Sequence, residues 1–353
     1  MDTKKLLTEL IKIKSIEKAS ANYAIEYCYN YLLENGLSSK IIENNGYKSL
    51  ICEIGSGEKK IILNGHLDVV EADKEQFEPY EYNGRIYGRG SADMKGAVAA
   101  MIDTMIEIKD MNLPCNVQLQ LVSDEETGGE NCSKYLAENG YRGDFVICGE
   151  PTNLGIGIQA KGILQIDITV QGKSAHSSRP WEGENAILKA CDIFNAIKKL
   201  PFTTQKSEFY EGPSINLSKI EGGNIYNKVP DLCKIGIDIR FLPGQNPEKI
   251  LSQIESVAGK NVKIHSYGDA VVTKPDDEYV KKLKSIISNH VNTTVKIFGQ
   301  HGSADTKFFS KYNIPAVEFG PIGANWHGKD EYVEIESINT YKKILKDFIF
   351  SIK

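Results

Sequence analysis

Two hydrophobic rhythms run along this chain, and their order predicts its architecture. Over MDTKKLLTELIKIKS the polar residues recur at helical spacing, which predicts an amphipathic first helix. A second helix is expected over 22–34, stopped by Gly36, a residue suited to the left-handed position after a helix end. Short strands are expected near 39–43 and 49–54. A compact apolar strand at 60–64 runs into GHLDVV. The stretch YNGRIY, with Asn83-Gly84 between β-formers, predicts a hairpin. GRGSADMKG then leads into a helix over about 95–110, with Val98, Met101, Ile102, Met105 and Ile108 on one face. A strand at 116–123 ends in Asp124, Glu125 and Glu126. A helix near 132–138 and a strand at 144–148 lead to GEPT.

Strands alternating with helices predict an α/β domain built on a mostly parallel sheet flanked by helices. Sites in such sheets form at the carboxyl ends of the strands. His66, the acids 124–126 and Glu150 all stand at such ends. After Lys161-Gly162 the rhythm changes. Residues 165–171 alternate like a half-buried strand. A helix at 184–199, strands at 214–221 and 234–241, a helix at 247–257 and a strand at 262–266 follow. This predicts an α+β domain, an antiparallel sheet with two helices on one face. Helices and strands then alternate again from Asp276 onward. The expected organisation is therefore a catalytic domain of 1–162 plus 275–353, interrupted by an inserted domain at 163–274.

Length and charge narrow the function. A chain of 353 residues suits one large and one smaller domain. The net charge of −5, with no long basic run, argues against nucleic acid or an anionic membrane as partner. No segment approaches the roughly 18 apolar residues that span a bilayer, and no small-residue cleavage site follows the first helix. The seven cysteines are scattered, odd in number and without a CxxC pair, which points to a reduced cytoplasm rather than a disulfide framework. The glycines of GRGSADMKG fit neither GxGxxG nor GxxxxGK[ST], so a phosphate loop is rejected.

The chemistry is concentrated in SDEETGG. Three adjacent carboxylates at the end of a core strand repel one another, and loss of water adds to the cost. Either they face open water or cations sit among them. Candidate ligands at strand ends and in loops are His66, Asp68, Asp93, Glu125, Glu126, Glu150 and the distant His327. Histidines with carboxylates and no thiolates suit catalytic zinc, or cobalt or manganese. Two Zn²⁺ ions would be neutralised by Asp93, Glu126, Glu150 and a hydroxide, with two imidazoles completing the set.

GHLDVV, GRGSADMKG, SDEETGG, GEPT, GKSAHSS and the late His327 occur in that order. Together they resemble the di-zinc aminoacyl hydrolase and metallopeptidase family of acetylornithine deacetylase, succinyl-diaminopimelate desuccinylase, aminoacylase and glutamate carboxypeptidase. The likeness runs through nearly the whole chain. It implies a zinc-exopeptidase-like catalytic domain with an inserted lid and dimerisation domain. It implies two Zn²⁺ per chain, with Co²⁺ as a substitute: His66 and Glu150 on one, Glu126 and His327 on the other, and Asp93 bridging. Asp68, two residues beyond His66, corresponds to the aspartate that orients the imidazole. Glu125 corresponds to the general base, and the alternation of a strand end would send Glu125 and Glu126 to opposite sides. His176 corresponds to an oxyanion donor that serves the other subunit in similar proteins, which implies a homodimer. Asn227, Arg240 and, less directly, Arg179 correspond to substrate contacts. HGSAD, 301–305, departs somewhat from the substrate loop of relatives, and the role of His301 stays open. The implied reaction is metal-dependent hydrolysis of the amide of a small-molecule N-acyl amino acid. N-acetylornithine or N-succinyl-diaminopimelate would be the substrate, in arginine or lysine biosynthesis. Dipeptidase or glutamate-type carboxypeptidase activity is the alternative, and a non-catalytic binding relative the second.

Overall fold

The computed structural model describes residues 3–352. Its contacts divide the chain into two compact units. One comprises 1–158, 272–298 and 304–353, and the other 159–271 with 299–303.

The larger unit is built on a mixed sheet whose centre is parallel. Lys60–His66 lies between Asn116–Val122 and Phe145–Cys148, parallel to both, and Ala316–Glu318 continues the parallel run beside Phe145–Cys148. Tyr47–Ile54 and Ser39–Asn44 extend the sheet antiparallel beyond Asn116–Val122. The central strands are buried on both faces, which is why they read as apolar runs rather than as alternation. On one face Ile62, Val146 and Ala316 pack against Ala137, Phe308 and Phe309 from the short helices Ser133–Glu138 and Thr306–Ser310. On the other face Phe145 stacks on Tyr279 of the helix Glu278–His290 and meets the tilted ring of Phe348 of the helix Ile335–Ser351. The helix Gly96–Ile108 is buried on nearly every side, between the sheet, the helix Thr3–Lys12 and the helix Ile335–Ser351. Its single-face pattern therefore understates its burial.

The Asn83-Gly84 hairpin forms between Tyr80–Tyr82 and Arg85–Tyr87. Both turn residues have positive φ, at 50° and 74°, as the tight hairpin turn requires. Tyr332–Glu334 and Gly323–Ala324 add to this hairpin and complete a small second sheet.

The smaller unit is an antiparallel sheet in the order Ser214–Gly222, Leu232–Phe241, Gly162–Gln171, Val262–Gly268. Alternation decides its faces. Leu164, Ile166, Ile168 and Val170 join Cys233, Ile235, Ile237 and Ile239 in one core, covered by the helices Ala186–Ile197 and Pro247–Ala258. Each of these helices starts at an asparagine whose side chain accepts backbone N–H groups, Asn185 from Ile187 and Leu188, and Asn246 from Lys249. Among the described residues no helix is long and apolar enough to cross a membrane.

Candidate metal centre

Strand register positions the first pair of ligands. Asn64 lies opposite Cys148 in the parallel ladder. Two residues further along each strand come His66 and Glu150, so the pleat that points Asn64 and Cys148 to one face points these two the same way. His66 Nε2 is 4.0 Å from Glu150 Oε1. The intervening glycines, Gly65 and Gly149, face the opposite side. A Cβ on Gly65 would come within 2.7 Å of Val98 Cγ2, and one on Gly149 within 2.6 Å of Met94 Cε. The helix Gly96–Ile108 and the loop before it thus approach the strands more closely than any side chain would allow. That approach carries Asp93, the residue before Met94, to the end of the sheet.

Asp93 is the hinge of the arrangement. Its Oδ1 is 3.1 Å from His66 Nε2, and its Oδ2 is 3.4 Å from His327 Nε2. His327 Nε2 is also 3.3 Å from Glu126 Oε1. Two groups capable of holding a metal result, His66–Asp93–Glu150 and Asp93–Glu126–His327, and Asp93 belongs to both. His327 has φ 63°, a left-handed conformation rare for a residue with a side chain. Such strain persists only where surrounding structure enforces it, and here Gln76 Nε2 donates to the carbonyl of Gly328 at 2.8 Å.

The donor set fits metal ions. Glu150 Oε1 is buried without a hydrogen-bond donor among the described residues. A carboxylate oxygen removed from water and left unpaired is costly, and a cation at this point supplies its partner. His66 Nδ1 donates to the backbone carbonyl of Asp68 at 2.9 Å, which fixes the tautomer and leaves Nε2 as the ligand nitrogen. The Asp68 carboxylate, expected to orient this imidazole, lies beside it: the strand ends at His66, Asp68 Oδ1 is 3.6 Å from Nδ1, and Oδ2 accepts the N–H of Glu126 at 2.8 Å. Asp68 therefore braces the turn that carries Glu126.

That turn corrects the strand-alternation argument for Glu125 and Glu126. The strand stops at Val122, and Glu125–Thr127 form a 3-10 turn. Strand alternation therefore does not set the directions of these two side chains, and of the two only Glu126 enters a ligand group among the described residues. Asp124 points back into the loop, where its Oδ2 accepts Asn131 N at 2.7 Å and Asn131 Nδ2 at 3.1 Å. Only two of the three adjacent acids face the centre.

Electrostatics follow from this crowding. Burial opposes the charged form of His66, but the hydrogen bond with Asp93 and the nearby Glu150, Asp68 and Glu125 carboxylates hold its pKa well above the ordinary value. His327 is raised chiefly by Asp93. Burial raises Glu150 and Glu125 well above the usual carboxyl range, aided by Asp93 for Glu150 and by Asp305 for Glu125. Burial also raises Glu126. Asp93 is the exception: burial pushes it up, but the two histidines pull it far below.

Residues 62–351 match the sequence model of the peptidase family M20/M25/M40. The chain belongs to the peptidase family M20/M25/M40. A probable succinyl-diaminopimelate desuccinylase of Staphylococcus epidermidis is 28% identical, over 99% of this chain and 98% of that protein. An aminopeptidase of Bacillus cereus shares the fold with a TM-score of 0.82 at 20% identity, covering 99% of this chain and 98% of its own. An M20 family metallo-carboxypeptidase of Sulfolobus solfataricus does so with a TM-score of 0.82 at 21% identity, covering 99% of each chain. Membership of the M20 family makes the chain a hydrolase.

The remaining candidates lie in the smaller unit of this M20 chain. His176 is exposed on a half-extended segment bridged to Lys228, and its Nδ1 is 2.7 Å from Ser178 Oγ. The carbonyl of Asn227 accepts the N–H of Ser177, and its side chain is exposed. Arg240 lies on the polar face of the sheet, with Nε and Nη2 on the two oxygens of Asp238 at 2.8 and 3.2 Å. Arg179 pairs with Glu182 at the surface. His301 meets the edge of the Tyr210 ring.

Sequence reasoning missed a buried network beneath the larger unit's ligands. Ser133 Oγ donates to Asp305, Asn64 Nδ2 donates to Ser133 Oγ at 3.3 Å, and Cys148 Sγ donates to Asn64 Oδ1 at 2.9 Å. Burial pushes Asp305 up to about 6. The network sits one pleat below His66 and Glu150. The signals in the sequence were the polar Asn64 within an apolar strand and Asp305 at the end of the HGSAD stretch. Lys95 was also missed. It is fully buried, it donates to the carbonyls of Leu10 and Ile13, both at 3.0 Å, and burial lowers its pKa to about 7.

Proposed function

We propose that this chain is a two-metal amidohydrolase that releases the amino group of a small N-acyl amino acid. N-succinyl-diaminopimelate is the first substrate to test, because relatives covering the whole chain carry that activity in their names. N-acetylornithine is the second. The observation that carries the reading is the single Asp93 carboxylate presenting one oxygen to each of two ligand groups. His66 and Glu150 would hold one metal, Glu126 and His327 the other, with Asp93 shared. Zinc suits this nitrogen and oxygen set, and cobalt is the expected substitute.

When bound, the metal pair supplies Lewis acidity to the amide carbonyl and lowers the pKa of water. Glu125 supplies the proton transfers. It stands beside Glu126 but belongs to neither ligand group, so its carboxylate is available to take a proton from water and return it to the departing amine. The His66–Asp68 carbonyl bond and the Asp68–Glu126 bond hold the ligands in place during this exchange.

The same reading assigns His176 as a donor to the developing oxyanion and Asn227, Arg240 and Arg179 as substrate contacts. It treats the smaller unit as a lid and a dimerisation surface. The edge strand Ser214–Gly222 with exposed Ile220, together with exposed Leu188 and Tyr226, supports that surface. A cytoplasmic location belongs to the same proposal, resting on the unpatterned cysteines.

The test is amine release from N-succinyl-diaminopimelate, N-acetylornithine and a set of dipeptides, using metal-stripped protein with Zn²⁺ or Co²⁺ restored. Metal-dependent release from an N-acyl amino acid supports the proposal and selects the acyl group. Release from dipeptides alone assigns the chain to the peptidases. Two bound metals per chain with no release from any compound would turn the reading toward a binding protein. Mixing His176→Ala with Glu125→Ala protein tests the dimer: recovered activity after subunit exchange means that His176 acts across subunits.

A further inference from the structure

Glu331 lies four residues beyond His327 and in neither ligand group, yet its carboxylate is wholly enclosed. Four donors converge on it. Oε2 accepts Arg89 Nη1 at 2.6 Å and Gly90 N at 3.0 Å, while Oε1 accepts Ala92 N at 3.0 Å and Asp93 N at 3.1 Å. The carbonyl of the same residue accepts Gly88 N at 3.0 Å.

The small second sheet creates this meeting. Tyr332 pairs with Tyr87, so the residue before Tyr332 comes alongside the residue after Tyr87. The loop needs an external acceptor there. Asp93, at φ −117° and ψ 93°, and Met94, at φ −130° and ψ 30°, depart from helical geometry, so N–H groups of this buried segment lack the partners that a regular helix would provide. A carboxylate with two lone pairs on each oxygen can take all four donors, and the Arg89 guanidinium balances its charge.

We propose that Glu331 is a positioning residue for the shared ligand Asp93. One carboxylate clamps the peptide N–H of Asp93 itself, and it belongs to the same loop as His327. It therefore sets the distance between the ligand common to both metals and a ligand particular to one. Hydrogen bonds to groups behind metal ligands characteristically govern affinity in this way. The inference rests on the two-metal reading above.

The substitution Glu331→Gln keeps the shape and replaces one acceptor oxygen with an NH₂ group. Whichever way the amide turns, two donors then face a donor: Arg89 and Gly90, or Ala92 and Asp93. Full-length protein is stripped of metal and titrated with Zn²⁺ against a chelator. The Co²⁺ form is examined by its visible absorption. Unfolding of the metal-free protein by urea is measured alongside. We expect E331Q to bind both metals about 10–100-fold more weakly, with a shifted Co²⁺ band. Phe348→Leu, a core change on the C-terminal helix, should lose stability and keep wild-type metal affinity. If E331Q does not fold, Glu331→Asp, which retains the charge and shortens the reach, carries the same measurement with the same expectation. Wild-type affinity and spectrum in the folded variant would overturn the positioning role while leaving the two-metal reading intact. Failure of the wild-type protein to take up two metals would overturn both.

Discussion

The crowding of acids and imidazoles makes a quantitative statement about protons. In the metal-free protein His66 and His327 both have raised pKa values, so both hold a proton near pH 6.5. Glu150 and Glu126 are raised as well, whereas Asp93 is depressed and holds none. A metal binds only the deprotonated forms, so each metal must expel the proton of its imidazole, and Glu150 adds toward a second in its own group. The sign follows. Groups that hold protons in the free protein and lose them on binding make affinity rise with pH, until the pH passes their raised pKa values, where the dependence flattens. One proton per metal weakens binding tenfold for each unit of acidification. Between about pH 6.5 and 5.0, at and below the ordinary imidazole pKa, that is about 30-fold, or about 2 kcal/mol per metal. The assay is calorimetric titration of Zn²⁺ into stripped protein in two buffers of different ionisation enthalpy, which counts the protons directly. About one proton per metal is expected at about pH 5.5. Zero protons, with affinity flat across this range, would mean that the imidazoles are already neutral and that the carboxylates do not exert the field described.

Other outcomes follow from individual residues. Glu125→Gln should lower kcat by about 10²–10⁴-fold with metal content unchanged, as measured by turnover and metal analysis of the same sample; loss of metal would make Glu125 a ligand. His327→Ala should leave one tightly held metal, because His66, Asp93 and Glu150 remain together, and metal analysis after gel filtration counts it. Gly129→Ala should destabilise the larger unit by about 2–4 kcal/mol in urea unfolding, since Gly129 has φ 72° and a Cβ would lie 2.2 Å from Asp305 Oδ1. An unchanged midpoint would show that the turn and Asp305 separate readily.

Periodicity determined a great deal on its own. The alternation of Gln165 and Asp167 with Ile166 and Ile168 predicted a half-buried strand, and Asn83-Gly84 predicted the hairpin, because each signal is carried by neighbouring residues. The ordered motifs likewise brought His66, Asp93, Glu126, Glu150 and His327 forward as a set before any coordinates. Local pattern could not say how those residues meet. The pairing of Asn64 with Cys148 that sets His66 beside Glu150 is a property of two strands far apart in sequence. The close approach permitted by Gly65 and Gly149 depends on what packs against them, which is Met94, Ala97 and the helix that follows. The turn at Glu125 was misread as a strand end because three acids in a row have no period to betray a change of backbone. The burial and partners of Glu331, Asp305 and Lys95 were invisible for a related reason. A buried charge has meaning only through the donors and acceptors facing it, and those come from segments that only the folded chain brings together.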